Sequence, residues 1–114
     1  MLNQFSRTQL LLGKEAIDIL QSSRVAVFGI GGVGGFACEA LIRSGVGKFD
    51  LIDDDKVCLT NLNRQIIATR KTVGQYKADV MKERMETLYD ETINFNIRNA
   101  LSVQQKSKKP IRTC

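Results

Sequence analysis

The sequence predicts an α/β fold built on a parallel sheet, and three observations carry that expectation. Short β-branched runs alternate with segments of helical periodicity in the order helix, strand, helix, strand, helix. The first strand-like run passes directly into a glycine cluster, and the second ends on a run of aspartates. No internal repeat and no linker interrupts this order before a basic, polar C-terminal segment.

In chain order, Leu10, Leu11, Leu12, Ala16, Ile17, Ile19 and Leu20 recur at helical spacing and predict one amphipathic helix. "RVAVFGI" follows, a β-branched run closed by glycine, with the composition of a buried strand. Val33, Phe36, Ala37, Ala40 and Leu41 then fall at i, i+3, i+4, i+7 and i+8, one face of a second helix that stops at "SGVG". "KFDLID" is the second strand. After the polar connection "KVCLTNLNRQ", helical spacing resumes through Tyr76, Val80, Met81, Met85 and Leu88. The expected division is a partial nucleotide-binding domain over residues 1–88 and an irregular basic tail over 89–114.

Composition narrows the function classes. The chain has 114 residues, one domain at most, with 43% hydrophobic and 25% charged residues. No apolar stretch reaches the roughly 18 residues of a membrane span, and the N-terminus is too quickly interrupted by charge for a secretion signal, which points to the cytoplasm. Three cysteines without a CxxC pair fit reduced thiols, with Cys38 as a small core filler. The net charge of +5 is not a nucleic-acid footprint of the folded part: residues 1–97 hold twelve basic and twelve acidic side chains, and the excess lies in 98–114.

"VFGIGGVGG", residues 27–35, spends five of the nine glycines of the chain between a strand and a helix. At that junction free N–H groups and the helix dipole favour an anion. Gly29 is expected to permit the tight turn, Gly31 and Gly32 to let phosphate oxygens reach the backbone, and Gly34 to let helix and strand pack closely. Asp53 ends the next strand nineteen residues after Gly34, where its carboxylate can accept ribose hydroxyls. A dinucleotide enzyme would use the same glycines and acid. Arg64, flanked by Asn61 and Asn63, and Lys77, in the first turn of the next helix, are instead what adenylation chemistry needs, because negative charge builds on the α-phosphate and on leaving pyrophosphate. Taken alone, each of these cations is equally an ordinary surface charge.

Together, "GIGGVGG", "LIDDDKVCLTNLNRQ" and "VGQYKADV" resemble the ThiF-like, ubiquitin-activating superfamily, whose members adenylate a carboxylate with ATP. The pattern of an acid, then Asn eight, Arg eleven and Lys twenty-four positions later is matched by Asp53, Asn61, Arg64 and Lys77. "FSRTQLLLGKEA" and "CLTNLNRQIIA" are most similar to the branch of tRNA threonylcarbamoyladenosine dehydratases, from about Phe5 to Met85. The resemblance implies a Rossmann-like ThiF-type domain in its N-terminal portion. It implies glycines around Gly32 holding the triphosphate, Asp53 the ribose, and Asn61, Arg64 and Lys77 the phosphates. Arg7 matches an arginine that crosses a homodimer interface to the partner's nucleotide, and tRNA is the implied substrate. Mg²⁺ is implied too, with its acidic ligand in the later half of the family's fold, so no catalytic or metal residue is assigned in this chain. Two alternatives stay open: an adenylyltransferase for a sulfur-carrier protein, and a nucleotide-binding fragment without turnover.

Overall fold

Gly13 divides the N-terminal helical segment in two, because its φ of +89° is a backbone geometry that no helix continues through. In the computed structural model, which describes residues 3–89 and 93–99, the helices are therefore α1 (Ser6–Leu12) and α2 (Lys14–Ser22), not the single helix expected. Strand β1 (Arg24–Phe28) enters the glycine cluster, α3 (Gly32–Ser44) leaves it, and β2 (Lys48–Ile52) follows. A 3-10 turn (Leu59–Asn63), α4 (Lys77–Glu86) and β3 (Asn94–Arg98) complete the order.

The three strands form one parallel sheet in the order β1-β2-β3, in which Phe49 pairs with Val25 on one side and Phe95 on the other. Parallel pairing places the ends of β1, β2 and β3 on one edge, and that edge carries the glycine turn and the aspartates. The third strand corrects the expectation of an irregular segment from residue 89. Ile93, Phe95 and Ile97 are half-buried, while Asn94, Asn96 and Arg98 are exposed, a period-2 alternation that lays one face on the core. Residues 100–114, and with them most of the basic tail, lie outside the described residues.

The core joins Phe49 and Leu51 of β2 to Ile42 and Cys38 of α3, Met81 and Met85 of α4, and Ile30, Val57 and Ile67 from the connections. Burial pushes the Cys38 thiol up to about 12, against a smaller opposing effect of its backbone hydrogen bond, so it packs as a neutral filler. Cys58 is half-buried and disulfide-bonded, against the expectation of reduced thiols.

Two expected apolar faces turn outward. Leu10, Leu11 and Leu12 of α1 are exposed, and α2 buries only Ile17. On α3 the buried residues are Gly35, Cys38, Glu39 and Ile42, while Val33 is 87% and Phe36 56% exposed. β1 is likewise an edge strand, not a buried one, with Phe28 at its exposed end. Glu39 is buried beside the core because two cations meet it: Arg43 Nη2 and Arg84 Nη2 both donate to Oε1 at 3.0 Å. Desolvation alone would raise its pKa. The two guanidiniums, through hydrogen bonds and charge, outweigh that and hold the carboxyl below its ordinary value.

Among the described residues no helix is long and apolar enough to cross a membrane.

Candidate functional site

The glycine turn is built from its backbone constraints. Gly29 has φ +91° and its N–H donates to Ile52 O at 2.8 Å, so the turn leaves β1 still attached to β2. A Cβ on Gly34 would run into the carbonyl of Gly29, so only glycine lets the first turn of α3 lie against the end of β1. Gly31 and Gly32 are different. A Cβ on Gly31 would come no nearer than 3.7 Å to Gln65 Nε2, and one on Gly32 no nearer than 4.0 Å to Arg64 O. Neither has a positive φ, so nothing in the fold itself demands glycine at these two positions. A molecule that must approach the backbone there would demand it.

The helix start is uncapped. Gly31 is the N-cap of α3 with no side-chain cap, and the first intrahelical bond runs from Gly35 N–H to Gly31 O at 2.9 Å. The N–H groups of Gly32, Val33 and Gly34 therefore precede the helix ladder and aim along the dipole out of the sheet edge.

Asp53 clamps this turn from β2. Its Oδ2 accepts the Ile30 N–H at 2.6 Å and its Oδ1 accepts the Asp55 N–H at 2.7 Å, inside a buried pocket. Nothing in the residue pattern signals this second duty. Each oxygen keeps a further lone pair for an external hydroxyl. The carboxylates of Asp53, Asp54 and Asp55 lie within 4.8 Å of one another, but the bonds from Asp53 shape the turn, and no metal is assigned to the group.

Asn61, Asn63, Arg64 and Lys77 come to the same edge. Buried Asn61 caps its own 3-10 turn, its Oδ1 accepting the Cys58 N–H at 2.8 Å and its carbonyl accepting Arg64 and Gln65 N–H. Exposed Arg64 donates from Nη1 to Asn63 Oδ1 at 2.9 Å. Lys77 opens α4, and its N–H donates to Asp55 O at 3.0 Å, which ties that helix start to the aspartate loop. Lys77 is only 5% exposed, yet its ammonium makes no ion pair among the described residues. A lysine whose stem is covered by the fold and whose charge has no counterion there is favourable ground for an anion.

Arg7 is not brought into this cluster. It is an exposed residue of α1, which is anchored at the opposite end of the sheet: Phe5 packs on Tyr89 and beside Gly45, just ahead of β2, and Gln4 Nε2 donates to Leu88 O at 2.8 Å.

With this geometry in place, comparison with known proteins is decisive. The ThiF family profile matches residues 5–109. The chain belongs to the ThiF family. That match runs past Met85, where the sequence resemblance had stopped, and takes in β3. Among ThiF relatives, the tRNA threonylcarbamoyladenosine dehydratase of Bacillus subtilis is 55% identical over 91 residues, 80% of this chain and 36% of the relative. The crystal structure of the Escherichia coli tRNA N6-threonylcarbamoyladenosine dehydratase in complex with ATP superposes with a TM-score of 0.82 at 39% identity, over 93% of this chain and 45% of that one. A sulfur carrier protein adenylyltransferase of Thermus thermophilus is more distant, 34% identical over 89 residues, 76% of this chain and 33% of the relative. The chain thus spans about a third of the length of the curated ThiF relatives it matches.

Proposed function

We propose that this chain carries the ATP-phosphate site of an adenylating enzyme, and that the carboxylate activated is the threonyl carboxylate of N6-threonylcarbamoyladenosine in tRNA. The observation that carries the phosphate site is Lys77, a largely buried lysine with no ion pair among the described residues, at an edge where an uncapped helix start and two glycines without an internal reason to be glycine also lie. A polyphosphate answers all three at once, by neutralising the ammonium, accepting the α3 N–H groups and filling the room left by the missing Cβ atoms.

In this scheme the N–H groups of Gly32, Val33 and Gly34 and the Lys77 ammonium hold phosphate oxygens, with the Asn61 amide turned to the same charge. Asp53 accepts the ribose hydroxyls with the lone pairs left free by Ile30 and Asp55. Arg64, held against Asn63, faces the outer phosphates and stabilises the charge that builds as pyrophosphate departs. The carboxylate oxygen attacks the α-phosphorus, pyrophosphate leaves, and ring closure onto the activated carbonyl then expels AMP with the former carboxylate oxygen. The net result is loss of water from the substrate. Mg²⁺ accompanies the triphosphate and neutralises part of its charge; no ligand for it is assigned here. A homodimer in the cytoplasm is part of the same proposal, with Arg7 assigned to the neighbouring subunit's nucleotide on the family resemblance; its exposed place on α1, away from its own chain's glycine turn, is compatible with that role. The dehydratase substrate is preferred to a sulfur carrier on the higher identity of the tRNA-modifying relatives.

Lys77→Met tests the phosphate site. It keeps the length of the stem and removes only the unpaired charge, so ATP affinity measured by calorimetry is expected to fall about tenfold or more while thermal stability holds or rises. An unchanged affinity would refute the assignment.

A further inference from the structure

The order of the strands sets the direction in which a nucleotide lies along this edge. Phosphates at the glycine turn sit over the end of β1, and Asp53, the acid facing the ribose, directly follows β2. β3 is the next strand outward, so the base of the same nucleotide comes to the end of β3. The backbone ties these two strand ends together, since the Asp53 N–H donates to Arg98 O at 3.0 Å. Half-buried Asn99 is the next residue. Its Nδ2 donates to Oδ2 of Asp79 at 3.0 Å, in the first turn of α4 and two positions after Lys77. That bond fixes which way the carboxamide faces: the amino end goes to Asp79 and the oxygen points away from it. Oδ1 is buried, and no donor among the described residues reaches it. A buried acceptor left unmet is costly, and in a native fold it calls for an explanation.

We infer that Asn99 reads the base of the bound nucleotide, its Oδ1 accepting a hydrogen bond from an exocyclic amino group. The inference rests on the ATP reading above and gives that site its base selectivity. An unmet oxygen needs a donor. Phosphate oxygens are acceptors, and the ribose hydroxyls are assigned to Asp53, which leaves the base. Adenine presents an N6 amino donor, whereas guanine presents the O6 acceptor at the same place and would set oxygen against oxygen. Selection then comes from the mismatch as much as from the match. The bond to Asp79 is part of the device, because it stops the carboxamide from turning over to offer Nδ2 instead.

The test is calorimetric titration of the whole 114-residue chain with ATP and with inosine triphosphate, whose base carries O6 in place of the N6 amino group. Wild type, Asn99→Leu and Asp79→Ala are compared. Wild type is expected to hold ATP about tenfold more tightly than inosine triphosphate. Asn99→Leu removes the acceptor and should bring the two affinities within about twofold of each other, mainly by weakening ATP. Asp79→Ala leaves Asn99 in place but frees its carboxamide to rotate, so the preference should shrink through tighter binding of inosine triphosphate. This second variant carries the test if Asn99→Leu does not fold. Equal affinities of the wild-type chain for the two nucleotides would overturn the inference and leave the phosphate site standing. A preference that survives in both variants, even with both nucleotides weakened, would overturn it too, because a merely structural residue behaves that way. Wild-type chain that takes up neither nucleotide would remove both readings.

Discussion

Replacing Asp53 with asparagine changes one atom and should loosen the whole carboxyl edge of the sheet. In the native chain both carboxylate oxygens accept short backbone bonds, from Ile30 at 2.6 Å and Asp55 at 2.7 Å, and the residue is buried. Asparagine keeps one oxygen. The other site becomes an NH₂ facing an N–H, so one donor loses its acceptor at a residue that is only 8% exposed. A charge-assisted bond contributes about 1.5–3 kcal/mol, and a buried donor left unpaired costs about 1–3 kcal/mol. With relaxation of the loop, a loss of about 3 kcal/mol is expected. At a urea m-value of about 1.5 kcal/mol/M, the midpoint should fall by about 2 M, with the slope unchanged. Far-UV circular dichroism during urea titration reads this directly. A midpoint within about 0.3 M of wild type would show that Asp53 does not hold the turn, leaving only the ribose role inferred from sequence.

Three further outcomes follow from the geometry. Gly34→Ala should destabilise by about 3 kcal/mol or more, because its Cβ meets backbone that cannot step aside, whereas Gly32→Ala should fold as well as wild type or better and lose ATP; equal effects of the two on urea midpoints and ATP titrations would refute the division of roles. Because Glu39 has its folded pKa lowered below the ordinary 4.5, its contribution is present above that value and is lost as pH falls through the folded pKa; Glu39→Gln should flatten the acid limb of a stability profile below about pH 4.5, and an unchanged limb would contradict the Arg43 and Arg84 pairing. In a full-length relative, mixing subunits altered at the position matching Arg7 with subunits altered at that matching Lys77 should restore activity in one of the two composite sites, and mixed dimers no better than either parent would remove Arg7 from the partner's site.

The parts of the fold written in local composition were readable in advance. β1 and β2 announce themselves in "RVAVF" and "KFDLI", and the glycine turn and Asp53 fall where the strand ends predict them. What could not be read is which apolar residues go inside. The stripe through Val33 and Phe36 is the more hydrophobic face of α3, yet the core takes Gly35, Cys38 and Ile42 together with Glu39. That choice is possible because Arg43 and Arg84, the second 45 residues away, neutralise the glutamate, and no periodicity records the long-range partner. Gly13 was a visible break that the leucine run on its N-terminal side obscured. The alternation in "INFNIR" is a legible strand signal. The unpartnered Oε1 of Gln65 has no sequence signature at all, since an unmet hydrogen bond exists only in three dimensions.

The central claim is that this sheet edge is built for the phosphates of ATP and not for a dinucleotide. Parallel calorimetric titrations of the chain with ATP and with NAD test it most directly. Tighter binding of ATP is predicted, with Arg64→Ala weakening ATP more than AMP, because the guanidinium serves the outer phosphates. NAD binding as tight as ATP, or tighter, would contradict the account.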